Sequence, residues 1–209
     1  MSHHRFRELL AMPGVREVCT LRGQLGFMAY HGGSLEEMTD VIASQAAERS
    51  GASYYGVLQP AGQQHHIPSH RISALDSAHL QGFLRHVDAV ITIHGFGRHG
   101  YWTSLLLGGQ NRGLAHHVAE HLREALPDYH VETDLEQIPR ELRGLHRDNP
   151  VNLPRQCGVQ IELPPRVRGQ APHTEALIDA LTAASTTWVG ASASPPVRVG
   201  ERPSGSSPV

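Results

Sequence analysis

Two apolar segments of this chain end in the same pair of residues, a histidine followed by a glycine. Residues 25–30 run into His31-Gly32, and residues 87–93, which are rich in β-branched side chains, run into His94-Gly95. Short segments of this composition that stop at glycine are typical of β-strands. Because the ligands of open α/β sheets gather at the carboxyl ends of strands, both imidazoles are predicted to lie along one edge of a sheet.

A carboxylate follows the first of these histidines at short range. Ser34 and Glu37 match a capping box, which predicts a helix over residues 34–50 and gives Glu37 a structural task. Glu36 then points away from the cap and lies across the glycine turn from His31. Two histidines and one glutamate, with a fourth position for water, form a catalytic zinc arrangement. The candidate metal ligands are His31, Glu36 and His94.

A third short apolar strand is predicted at residues 158–163, and it carries Glu162 near its end. Beside a zinc site, such a carboxylate is the general base that takes a proton from the metal-activated water. The simpler interpretation is an ion pair between Glu162 and Arg166 or Arg168. Both interpretations are open from the residues alone.

Three motifs, at residues 31–36, 93–95 and 158–163, resemble in their order and spacing the phage-type poly-γ-glutamate hydrolase family. They read His-Gly-Gly-Ser-Leu-Glu, Ile-His-Gly and Gly-Val-Gln-Ile-Glu-Leu, and the resemblance extends over residues 25–168. It implies a zinc-carboxypeptidase-like α/β fold with a mixed central sheet, and the cleavage of γ-glutamyl amide bonds. The roles that it implies are zinc binding by His31, Glu36 and His94 and catalysis by Glu162.

The substrate that this resemblance implies is a polyanionic glutamyl polymer or peptide, with a carboxylate on every residue. All 18 basic residues of the chain are arginine, which a codon bias in the source genome explains best and which is also compatible with bidentate binding of carboxylates. The family carries an Asn-Arg-Gly element before its last motif; here Leu-Pro separates the corresponding Asn152 and Arg155. The predicted substrate-binding residues are Arg98, Asn152, Arg155 and Arg168.

Strands alternate with helices along the chain, which predicts a three-layer α/β domain with helices on both faces of the sheet. The 209 residues suit one zinc-hydrolase domain over residues 1–189. The Gly-, Ser- and Pro-rich tail, residues 190–209, has too little apolar content to fold and is expected to be disordered. Residues 134–156 lack periodicity, and a long irregular segment of this kind is often a functional loop.

Charge and hydropathy narrow the range of partners. A net charge of −2 and a pI near 6.8 give no electrostatic footprint for nucleic acid. The chain has no apolar run of the length that a membrane span needs, and its N-terminus shows no apolar signal region. We therefore expect a monomer that is cytoplasmic or released by lysis. The two cysteines predict no disulfide framework.

Two other motifs offer competing sites. The sequence His117-x-x-Glu120-His121 matches the pattern of inverted zinc proteases, but helical periodicity predicts these side chains on a polar face. Arg98-His99-Gly100 is similar to the motif of histidine phosphatases, although residues 96–97 separate it from the strand end. His65-His66 and His70 are predicted to lie in a polar loop.

Two alternatives to a γ-glutamyl hydrolase also stay open. One is a zinc carboxypeptidase or amidase that acts on another peptide substrate. The other is a non-catalytic carboxylate-binding module of the same fold. The presence of Glu162 favours an enzyme, because binding alone requires no base at that position.

Overall fold

One mixed β-sheet organises the protein. The computed structural model describes residues 6–169 and 171–189, so the predicted tail lies outside the described residues. The strands are β1 (Arg16–Thr20), β2 (Leu25–Gly33), β3 (Ser53–Gln59), β4 (Ala89–Gly95), β5 (Ser104–Gly108), β6 (His130–Glu132) and β7 (Gly158–Leu163). Within these residues the sheet order is β1-β3-β2-β4-β7-β5-β6. The four central strands β3, β2, β4 and β7 are parallel, whereas β1 and β5 pair antiparallel with their neighbours β3 and β7.

Helices cover both faces of this sheet, which confirms the predicted three-layer α/β architecture. They are α1 (Phe6–Leu10), α2 (Thr39–Ser50), α3 (Ala78–His86), α4 (Arg112–Ala125), α5 (Pro165–Arg168) and α6 (His173–Thr187). Apolar side chains of α2, α4 and α6 pack on one face, and those of α1 and α3 pack on the other. None of the helices in the described residues has the length and apolar character needed to cross a membrane.

The two faces follow from the alternation of side chains along the strands. Phe27 and Ala29 of β2 point to the face with α2, whereas Met28 and Tyr30 point to the face with α3. Because the central strands are covered on both sides, they read as nearly continuous apolar segments. This composition is why their positions could be predicted.

The segment between β2 and α2 differs from the capping-box prediction. The helix begins at Thr39, not at residue 34, and its preceding residue Met38 has a φ of 71° and provides no side-chain cap. The Ser34 hydroxyl lies 2.7 Å from the carbonyl oxygen of Pro60 and 2.5 Å from that of Gln63. This hydroxyl therefore ties the segment to the loop after β3 and is not available to cap a helix.

Glycine is required where β2 ends. Gly33 has a φ of 71°, and a Cβ atom added there would lie 2.2 Å from the carbonyl oxygen of Gln59. The chain consequently turns at this point, and the Glu36 backbone N–H donates a hydrogen bond of 3.0 Å to the His31 carbonyl. This turn brings Glu36 back over the strand end from which His31 projects.

Candidate metal centre

Three neighbouring parallel strands deliver three polar side chains to the same edge of the sheet. His31 lies near the end of β2, His94 near the end of β4 and Glu162 near the end of β7. His94 and Glu162 are direct partners in the β4–β7 ladder. All three are almost completely buried, with exposed fractions of 2%, 3% and 5%. The predicted convergence of the strand ends is therefore what the structure shows.

The Glu36 carboxylate lies between the two imidazoles. Its Oε1 atom is 2.8 Å from Nδ1 of His31, and its Oε2 atom is 3.2 Å from Nδ1 of His94. The backbone N–H of Gly95 also donates to Oε2, at 2.9 Å. The two rings have centroids 5.0 Å apart. The turn after β2 and the strand end of β4 thus bring two nitrogen donors and one carboxylate together.

The Nε2 atoms of His31 and His94, which face away from Glu36, also have hydrogen-bond partners. Nε2 of His31 lies 2.8 Å from the carbonyl oxygen of Ile67, and Nε2 of His94 lies 3.0 Å from the Tyr30 hydroxyl. A carbonyl can only accept, so Nε2 of His31 carries the hydrogen, and in the neutral ring Nδ1 presents a lone pair to Glu36. At 2.8 Å these two atoms are close enough to share a hydrogen, and a metal ion that took the place of that hydrogen would meet one imidazole nitrogen and one carboxylate oxygen. This donor set of imidazole nitrogen and carboxylate oxygen fits zinc.

The two buried carboxyl groups of the site differ in their charge state. Burial opposes ionisation of Glu36, but the adjacent His31 and His94 outweigh it and hold the pKa of Glu36 well below its usual range. Burial is also the largest influence on Glu162, and here it prevails, raising the pKa of Glu162 to about 7. Burial disfavours the His94 imidazolium, yet Glu36 raises the pKa of His94 above its ordinary value. One carboxylate is therefore a permanent anion, and the other can exchange a proton near neutral pH.

A cavity of about 710 Å³ opens over these groups. His31, Glu36, His94 and Glu162 line its floor, and residues between Arg140 and Asn149 form a wall. These wall residues belong to the irregular segment that precedes β7, residues 134–156, where the sequence predicted a functional loop.

His66 belongs to the same cluster, although the sequence predicted only a polar loop there. Ligand atoms of His31, Glu36 and His66 all lie within 4.8 Å of one another, and the His66 ring centroid is 4.9 Å from that of His31. His66 precedes Ile67, whose carbonyl holds His31. No spacing rule links residue 66 to the strand ends, so only the tertiary structure shows that it is a possible third imidazole.

Two predicted substrate residues do not reach the cavity. Asn152 donates to the carbonyl oxygens of Gly144 and His146, at 2.7 Å and 3.0 Å, and so holds the loop together. Arg155 forms a bidentate ion pair with Asp88, with contacts of 3.1 Å and 2.9 Å. Asp88 precedes β4, at the end of that strand opposite to His94. These contacts give Asn152 and Arg155 other partners, and the predicted substrate contact of the two residues stays a prediction that these contacts do not support.

The other two predicted substrate residues lie close to the site. Arg98 forms an ion pair of 2.7 Å with Glu141, a residue of the cavity wall, so it stands at the rim. The Arg168 guanidinium packs against Gly95, where an added Cβ would lie 2.7 Å from its Cζ atom. It donates to the carbonyl oxygens of Leu163 and Glu37, and so braces the strand ends behind the ligands. Among the described arginines, the one that lines the cavity is Arg140, which sequence analysis missed.

The competing histidine motifs have other environments. Nε2 of His117 lies 3.0 Å from the carbonyl oxygen of Ala184, and Nε2 of His121 lies 3.1 Å from the Thr187 hydroxyl. These contacts join α4 to α6, so the polar face of α4 that carries the two histidines is half-buried against α6. His99 lies in the exposed loop after β4.

The three-layer α/β fold carries, at one edge of its sheet, a group of histidine and glutamate side chains that could hold a metal ion. Residues 8–180 match the sequence model of the poly-gamma-glutamate hydrolase family, and the chain belongs to that family. Its members are hydrolases that act on γ-glutamyl peptide bonds. This membership confirms the predicted family.

Solved structures show the same fold. A bacteriophage poly-gamma-glutamate hydrolase superposes with a TM-score of 0.69 at 19% identity, covering 81% of this chain and 87% of the other. The protein YNDL, in its zinc-free apo form, gives a TM-score of 0.69 at 18% identity, with coverage of 83% and 90%. A metallo-carboxypeptidase from Burkholderia cenocepacia matches with a TM-score of 0.44 at 11% identity, over 85% of this chain and 65% of that one. A search of curated protein sequences gave no match.

Proposed function

We propose that this protein is a zinc-dependent hydrolase of poly-γ-glutamate, with zinc held by His31, Glu36 and His94 and with Glu162 as the general base. The observation that carries the proposal is the Glu36 carboxylate between two Nδ1 atoms, at 2.8 Å and 3.2 Å, beside a second buried carboxyl group. We favour His94 over His66 as the third ligand because its Nδ1 atom lies 3.2 Å from the Glu36 carboxylate and its Nε2 atom is hydrogen-bonded to the Tyr30 hydroxyl. His66 is the exposed member of the cluster.

The roles of the side chains follow from their charge states. When bound, zinc supplies a Lewis acid that polarises the amide carbonyl and lowers the pKa of water. Glu162 accepts a proton from the attacking water and passes it to the leaving nitrogen, which requires a carboxyl pKa near neutrality. Burial raises the pKa of Glu162 to about 7 in the site without metal, a shift in the direction that both transfers need. Glu36 remains ionised throughout, so the donor set keeps its negative charge.

The substrate is proposed from the family and from the charge of the cavity mouth. Each unit of poly-γ-glutamate carries a free α-carboxylate, which a guanidinium binds well. Arg140 lines the cavity and forms no ion pair with another described residue, and the Arg98–Glu141 pair stands beside it. We therefore assign the recognition of substrate carboxylates to Arg140, with Arg98 at the rim.

The direct test compares γ-linked with α-linked glutamyl oligomers of equal length, using the zinc-loaded protein and release of new amino groups as the readout. We expect hydrolysis of the γ-linked oligomer and at least about tenfold slower hydrolysis of the α-linked one. Faster cleavage of the α-linked oligomer would assign the protein to carboxypeptidases of ordinary peptides. Bound zinc without cleavage of either oligomer would leave a binding module.

The pH dependence should show a loss of activity on the acid side. Glu162 must be ionised to accept a proton, so kcat/KM falls as the pH drops through the pKa of that carboxyl group. This pKa is about 7 without metal, and a neighbouring cation lowers it, so the midpoint is expected at pH 7 or below. A pH–rate profile, with zinc content measured at each pH, tests this. A rate that stays constant as the pH falls to about 5 in zinc-replete protein would contradict the assigned base.

A further inference from the structure

A buried chain of hydrogen bonds connects His94 to Glu162. Nε2 of His94 lies 3.0 Å from the Tyr30 hydroxyl, which lies 3.1 Å from Oδ1 of Asn149. Nδ2 of Asn149 donates to Oε1 of Gln160 at 2.9 Å, and Nε2 of Gln160 donates to Oε1 of Glu162 at 2.9 Å. Three side chains thus join the proposed zinc ligand to the proposed base without a gap.

Two further contacts, one of Asn149 and one of Gln160, determine which group donates and which accepts in every one of these hydrogen bonds. Oδ1 of Asn149 also accepts from the Val151 backbone N–H at 3.2 Å, and a backbone N–H can only donate. Nε2 of Gln160 also donates to the Leu142 carbonyl at 3.3 Å, and a carbonyl can only accept. Neither amide can therefore be turned around without losing a second bond. The Tyr30 hydroxyl must donate to Asn149, so it accepts from the Nε2–H of His94.

The side chains of this hydrogen-bonded chain are as deeply buried as the proposed zinc ligands and make further contacts. Tyr30, Asn149 and Gln160 have exposed fractions of 0%, 3% and 4%. The Ser69 hydroxyl also hydrogen-bonds the phenol of Tyr30. A Cβ atom added at Gly144 would lie 2.8 Å from the Gln160 amide, so the cavity-wall loop packs directly on this amide. Polar groups buried to this extent are costly unless they are fully paired, and here all of them are paired.

We propose that Tyr30, Asn149 and Gln160 are positioning residues that form one unit. At one end, Tyr30 accepts the Nε2 hydrogen of His94, which leaves Nδ1 unprotonated and aimed at the metal. At the other end, Gln160 fixes the orientation of the Glu162 carboxylate. Asn149 joins the two ends and belongs to the loop of the cavity wall, so an ordered loop is a condition for both. The catalytic half of this inference rests on the proposed hydrolysis, whereas the metal-binding half rests only on the proposed zinc ligand His94.

The metal-binding end is tested with Tyr30→Phe, which keeps the ring and removes only the hydroxyl. Loss of such an outer hydrogen bond to a ligating histidine weakens metal affinity by about 10–100-fold. We expect a weakening of this size in the zinc dissociation constant, measured by competition with a chromogenic chelator. The matched control is Tyr55→Phe, which removes another buried hydroxyl, one bonded to Glu17 at 2.6 Å and remote from the site. Wild-type zinc affinity in Tyr30→Phe would overturn the inference.

The catalytic end is tested with Asn149→Ser and Gln160→Met, both checked for thermal unfolding. Serine can still accept from the Val151 N–H but is too short to donate to Gln160. Each single variant is expected to lower kcat about 10–100-fold with KM unchanged, and the zinc affinity of Gln160→Met is expected to stay at the wild-type value. Because the residues act as one unit, the double variant should be no slower than Gln160→Met. Multiplied effects in the double variant would mean independent, merely structural roles.

The two proposals fail in different ways. Wild-type protein that binds zinc but cleaves no γ-glutamyl bond would contradict the proposed function. In that case the zinc affinity of Tyr30→Phe, compared with Tyr55→Phe, still decides whether the hydrogen-bonded chain positions His94. Normal hydrolysis by wild type and normal kcat in Asn149→Ser would contradict the inference alone.

Discussion

Replacing Glu162 with glutamine is expected to lower kcat about 10²–10⁴-fold, the range that general acid–base catalysis contributes, while zinc content stays at the wild-type level. Glutamine has the same shape and can still accept the hydrogen bond that Gln160 donates, so the local packing is kept. It cannot accept a proton from water. The measurement is kcat on γ-linked oligomers together with zinc per chain on the same preparations.

The control for this substitution is Glu175→Gln. Glu175 lies on α6, where its exposed side chain pairs with Arg49 at the surface. This variant should keep wild-type kcat. If the kcat of Glu162→Gln also stayed within about threefold of the wild-type value, Glu162 would not be the base. The buried carboxyl group beside His94 would then have only a structural role.

The second large effect concerns the metal itself. His94→Ala removes one of the two imidazoles that face Glu36, so we expect zinc content to fall from about one per chain to a small fraction of that value. Hydrolysis should be lost in the same samples, because two remaining ligands do not hold zinc in the manner of a three-ligand catalytic site. Zinc per chain, measured after dialysis against metal-free buffer, gives the result.

Two further variants make this experiment decisive. His117→Ala alters the α4 motif of the competing zinc pattern and should keep both zinc and hydrolysis. His66→Ala removes the third imidazole of the cluster and should keep zinc, if His94 is the ligand. Retention of zinc in His94→Ala together with its loss in His66→Ala would replace the ligand set by His31, Glu36 and His66.

The central part of the fold could be predicted because burial on both sides gives the parallel strands an unmistakable composition. The His-Gly pairs of β2 and β4 mark the ends of these strands, and parallel strands place their ends at one edge of the sheet. The proximity of His31 and His94 could therefore be predicted from the sequence. Glu162 could be placed for the same reason. Each of these predictions depends on local sequence and on one general property of sheets.

Predictions that depended on distant partners failed. The capping box at Ser34 was wrong because its hydroxyl bonds to carbonyls after β3, and Met38 takes the position before the helix. The ion pair of Arg155 with Asp88, at the other end of β4, was also missed because Asp88 is far away in the sequence. His66 was missed because its contact with His31 spans two separate loops.

The position of β7 determines when in synthesis this protein can become active. Among the strands of the described residues β7 is the last to leave the ribosome, yet it lies between β4 and β5 and joins two otherwise separate parts of the sheet. A nascent chain that ends before residue 158 carries His31, Glu36 and His94 but neither Gln160 nor Glu162. Under the proposed roles the base arrives with the strand that closes the sheet, so a chain that ends before β7 is expected to lack hydrolytic activity.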